Sequence, residues 1–71
     1  MIDKFYKLYM ALRNNKILHK TDNYLITYDI KNARYNLWYI DYNSLPHFFD
    51  YCDNKITLKF KWNILMDGGT L

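Results

Sequence analysis

The residues of this chain that could do covalent or metal chemistry are few: His19, His47 and a single cysteine, Cys52. Imidazole and thiolate suit zinc, but His47 and Cys52 do not have the usual ligand spacing, His19 is remote in sequence, and a fourth ligand would have to be an aspartate. As a nucleophile Cys52 is no better placed. It falls on an apolar stripe with Leu45, Phe48 and Phe49, where lost hydration raises a thiol's pKa and makes it inert. The acidic residues are all aspartate, and their scatter reads as turns and caps rather than as an acid–base pair. There is no Gly-x-Ser-x-Gly elbow and no phosphate-cradling glycine loop, since the two glycines are Gly68 and Gly69. The expectation is a protein that is not an enzyme and carries no metal and no cofactor.

What remains is noncovalent chemistry. From Lys55 to Ile64, the residues Ile56, Leu58, Phe60, Trp62 and Ile64 alternate with Lys55, Thr57, Lys59, Lys61 and Asn63. Read with period two, this is a half-buried strand with an apolar side and a basic side. In the run Tyr35 to Tyr42, Asp41 should point to water, which turns Trp38, Ile40 and Tyr42 inward and sets Tyr35, Leu37 and Tyr39 outward beside the lysines. The candidate partner-binding residues are therefore Tyr35, Tyr39, Lys55, Lys59 and Lys61 on one sheet face, with Leu25 and Thr27 on the neighbouring strand. Aromatic rings rimmed by ammonium groups suit the surface of another protein. The same mixture serves a nucleic-acid-binding module, because bases stack on rings while lysine neutralises phosphate. Two such faces could also pack together in a homodimer.

These residues need elements to hold them. Ile2, Phe5, Leu8, Tyr9 and Leu12 recur at helical spacing, which predicts a helix over 2–12 that stops at Asn14-Asn15, where asparagine tolerates a left-handed conformation. Lys16–Lys20 reads as a short strand or the arm into one, followed by a turn at Thr21-Asp22-Asn23. Tyr24–Ile30 alternates as a second strand and joins Tyr35–Tyr42 through the polar loop 31–34 as a β-hairpin. Asn43 or Ser44 with Pro46 looks like a helix start, and Leu45, Phe48, Phe49 and Cys52 stand at i, i+3, i+4 and i+7, which predicts a second short helix ending by Asn54. The fold class is α+β: a three- to four-stranded, mainly antiparallel sheet with both helices on one face. A single domain spans 1–66, with 67–71 as a flexible tail.

Composition sets the outer bounds. A chain of 71 residues, 51% hydrophobic and 20% aromatic, can fold but buries a thin core. One cysteine gives no disulfide framework, and no apolar run reaches the length of a membrane span, so the expectation is a cytoplasmic protein with no membrane partner. The net charge of +3 excludes an acidic mimic of DNA. Glu, Gln and Val are absent while Lys, Asn, Ile and Tyr abound, the bias of AT-rich codons. In size and style the chain resembles phage-encoded or mobile-element inhibitors of host machinery, anti-CRISPR proteins among them, which act by occupying a partner protein or protein complex.

Overall fold

The computed structural model describes residues 9–68. Four strands, β1 (Asn15–Lys20), β2 (Tyr24–Asp29), β3 (Arg34–Ile40) and β4 (Pro46–Cys52), form one antiparallel sheet in sequence order, and helix α1 (Lys55–Met66) follows. The chain is a small α+β domain. Most of the helix expected over 2–12 lies outside the described residues; residues 9–11 are helical, and Asn14 takes a left-handed φ of 64° where the chain turns into β1.

Each connection has a local cause. Thr21 closes the first turn, its Oγ1 accepting from the Tyr24 amide at 3.0 Å. In the expected β2–β3 hairpin, Asp29 accepts from the Asn32 backbone and side chain at 3.0 and 2.9 Å, and Ala33 adopts a φ of 53°. Asp41 holds the third turn by accepting from the amides of Asn43 and Leu45, with Ser44 left-handed at φ 66°. Aspartates and threonine thus replace glycine as turn formers, since a side-chain oxygen can satisfy the amides a turn leaves free.

Two expectations are overturned, and they exchange places. Lys55–Ile64 is helix, not strand. Asn54 caps it, its Oδ1 accepting from the Thr57 amide at 2.8 Å, and Leu58, Trp62 and Leu65 make the buried stripe. A run without a glycine or proline is too long for an ordinary strand, and lysine, leucine and methionine favour helix. The segment read as the second helix is strand β4. A bulge against β3, where Leu37 pairs Asp50 and Trp38 pairs Phe48, inserts Phe49 and breaks the alternation. The apolar residues then fall at spacings that imitate a helix. Pro46 stands at the first position of this edge strand, where its missing N–H costs no ladder bond.

Both faces of the sheet hold buried residues in its middle. Leu37, 1% exposed, packs with Cys52 and Leu65 beneath α1, joined by Tyr24, Tyr35, Phe49, Leu58 and Trp62. Tyr35 and Leu37 therefore face the helix, against the expectation that they point to water. On the opposite face Thr27, Asp29, Asn36 and Trp38 are also buried. There Trp38 Nε1 donates to Thr27 Oγ1 at 2.9 Å, Thr27 donates to Asn15 Oδ1 at 2.6 Å, and Asn36 donates to Asn15 and Asp29 at 3.2 Å each. Leu12 joins Ile17, Leu25, Ile40 and Pro46 around an apolar cavity of about 260 Å³ on this side.

Removing the cap in Asn54→Ala should cost about 1 kcal/mol. For a domain this size that lowers the melting temperature by roughly 4–8 °C, readable by circular dichroism. Asn32's side chain, more than any other group, holds the Asp29 carboxyl below its ordinary value of 3.8; backbone and Asn36 bonds add to this against the cost of burial. A depressed folded-state pKa stabilises the fold above that value, and the contribution disappears as pH falls through the folded pKa. Asp29→Asn should be less stable than wild type at neutral pH, and the gap should narrow in acid melts below pH 3.8.

Candidate functional site

The expected partner-binding face is not one surface. Tyr35 and Tyr39 do share a side of β3, the side that α1 covers, whereas Lys55, Lys59 and Lys61 belong to α1. Leu25 and Thr27 pair across from Trp38 and Asn36 and are buried. The lysines cannot form a basic sheet face, because a helix distributes by 100° per residue what a strand would have aligned.

The fold nevertheless brings two of the five together. Tyr35 and Lys55 line one cleft of about 350 Å³ with Lys16, Leu18 and Tyr28. Register explains the meeting: Tyr28 pairs with Tyr35 across β2 and β3, and Lys16 pairs with Tyr28 across β1 and β2, so all three point to the α1 side. The two tyrosine rings meet edge-to-face, 5.2 Å between centroids. A bulge at Leu18 in edge strand β1 adds a second apolar wall. Lys55 is the first residue of α1, and Lys59, one turn on, extends the same flank. None of the described lining residues is acidic.

Tyr39 and Lys61 fall elsewhere. Tyr39 stacks on His47 at 4.8 Å and 14°, and His47 Nε2 lies 2.7 Å from Asp41 Oδ2. Chiefly that His47 contact, then the turn amides, draws the Asp41 carboxyl below its ordinary value. The trio pins the β3–β4 turn. Four residues along a strand separate Tyr39 from Tyr35, roughly 13 Å, so one small ligand does not touch both. Lys61 spans from α1 to β4, its Nζ 2.6 Å from Asp50 Oδ2, and holds the helix on the sheet rather than offering a free cation.

The second feature is the outer face of α1. Ile56 is 84% exposed and Phe60 66% exposed, one turn apart. With Leu65 buried and Leu58 and Trp62 half-buried beneath, α1 is apolar on two opposite sides, an arrangement that a surface helix of a monomer does not need. Lys55 and Lys59 border this stripe.

Among the described residues no group of three His, Cys, Asp or Glu could hold a metal ion, and no helix is long and apolar enough to cross a membrane. His19 instead meets Trp62 edge-to-face at 5.1 Å. Cys52 is buried, and burial pushes its thiol pKa up. Comparison with family models, curated proteins and solved structures finds no match for the chain.

Lys16, Leu18 and Tyr28 escaped the reading from sequence. The loop expected at 31–34 would set Ile30 opposite Tyr35; the observed pairing of Asp29 with Arg34 shifts the loop by one residue and puts Tyr28 there, while the role of Lys16 needed the irregular β1 register. The buried thiol gives a direct check on the core: Cys52 should react with Ellman's reagent only slowly in buffer and fully once urea unfolds the chain. Equal rates in the two conditions would mean that α1 does not cover the sheet.

Proposed function

We propose that this is a non-enzymatic binding protein that occupies the surface of a partner protein through the outer face of α1, in the manner of phage-encoded blockers of host machinery. The observation that carries the reading is the exposure of Ile56 and Phe60 on a helix whose other face is already buried. Burying side chains of this kind is worth about 1.5–3 kcal/mol each, a gain the isolated chain forgoes. Residues spaced by one helical turn are the anchors by which a helix seats in a partner's groove, and Lys55 and Lys59 supply a polar rim. Size and composition support the same reading.

Recognition by strand addition fits less well. Edge strand β1 carries a bulge and two lysines, Lys16 and Lys20, and edge strand β4 carries a bulge, Pro46 and Asp50. Such features discourage a further strand from pairing.

The test compares wild type with the double variant Ile56→Ser, Phe60→Ser as tagged baits in nuclease-treated lysates of low-GC bacteria. Both side chains are exposed, so the variant should melt within a few degrees of wild type. A protein captured by wild type and lost with the variant is the expected result. Identical captures would sink the reading. A concentration-dependent dimer that the variant abolishes, seen by sedimentation velocity, would assign the face to self-association instead.

A further inference from the structure

The cleft between β1 and the start of α1 has a chemistry of its own. Its walls offer two ammonium groups, Lys16 and Lys55, two phenol rings, Tyr28 and Tyr35, and the aliphatic side chain of Leu18. Both lysines are exposed residues, and among the described residues neither has a carboxylate partner, since the ion pairs engage Arg34, His47 and Lys61. Two uncompensated cations on one small cavity repel each other and attract an anion. Lys59 adds to the same potential from the next turn of the helix.

The rings narrow the class of anion. In an edge-to-face pair, the ring that contributes its edge does not have its faces covered by its partner, and both tyrosines line the cleft. A flat heterocycle can stack there, with Leu18 covering its margin. At about 350 Å³ the cleft has room for one ring system and the phosphate attached to it.

We propose that this cleft binds a nucleoside phosphate, its phosphate held between the Lys16 and Lys55 ammonium groups and its base stacked against the Tyr28–Tyr35 pair. A free nucleotide and one unit of a single-stranded nucleic acid present this same chemistry. Stacking of this kind is tolerant of sequence, because every base has a π-face. Neither Ile56 nor Phe60 lines the cleft, so the Ile56→Ser, Phe60→Ser variant separates docking through the outer helix face from binding at the cleft.

The experiment is a fluorescence-anisotropy titration of the full chain with a labelled thymidylate octamer in low-salt buffer, repeated at rising salt. Unlabelled thymidine monophosphate and inorganic phosphate serve as competitors. The octamer should bind, and the one phosphate held between the two lysines predicts a log–log salt slope of about −0.7. The double variant Lys16→Ala, Lys55→Ala should flatten that slope towards zero. The control Lys20→Ala, Lys31→Ala removes the same charge from exposed positions outside the cleft and should keep the slope. Tyr28→Leu, in a variant shown to be folded, should weaken binding about 5- to 150-fold through lost stacking. Displacement of the octamer by thymidine monophosphate would mark a free nucleotide as sufficient, whereas resistance to it would assign the strand. Absence of binding to both nucleotide probes would overturn the proposal. So would equal loss in the two lysine doubles, or inorganic phosphate competing as well as the nucleotide.

Discussion

Everything on the helix side of this sheet depends on a hydrogen-bonded relay on the other side. Asn15, Thr27, Asn36 and Asp29 link β1, β2 and β3, with Trp38 and Arg34 attached at its margins. Thr27, Asn36 and Asp29 are buried, and a buried polar group without a partner costs more than a neutral exchange of partners gains. The relay closes in one register only. A slip of β2 by one residue would leave Thr27 facing the helix and would turn Tyr28 to the opposite side, away from Tyr35. The polar face therefore fixes the positions of the aromatic one, and the small apolar core under α1 does not have to specify register by itself.

That arrangement explains which parts of the fold were legible. The β2–β3 hairpin could be read because its loop, alternation and turn residues agree, and Asn14 could be read because few residues other than glycine accept its φ. The strand and helix at the C-terminal end could not, because each imitates the other's period. Phe48 and Phe49 are adjacent in sequence because a bulge intervenes, and bulges follow from pairing, which one segment does not reveal. Ile56 and Phe60 complete an apparent alternation with Leu58 and Trp62 although they do not belong to the core at all. Periodicity presumes that large apolar residues are inside. Here the presumption fails at the surface that carries the proposed function.

The candidate site shows the same division. Tyr35 and Lys55 were picked out as aromatic and basic groups near one another, and they do share a cleft, but through a helix N-terminal turn meeting a strand rather than through two neighbouring strands. Tyr39 and Lys61 were chosen on the same grounds. They prove to be part of a stacked turn and an interelement ion pair. Residue type identified groups able to bind; whether each is spent on the fold itself depends on tertiary partners such as His47 and Asp50, which have no signature in the chain around them.

The thinness of the domain ties these features together. Helix α1 lies on the sheet with one face for the core, and that face is filled by Leu58, Trp62 and Leu65. Any further large apolar residue on α1 must face water, and Phe60 and Ile56 do so at the middle and start of the helix. Neither assists the cap: Asn54 bonds Thr57 whatever occupies position 56. Neither touches the relay on the far face of the sheet. A hydrophobic pair with no part in capping, core or register has no folding role among the described residues, and its exposed area becomes favourable only when something else covers it. The stability of the chain and the stickiness of its outer helix face are thus separable properties, carried by different residues of the same twelve-residue element.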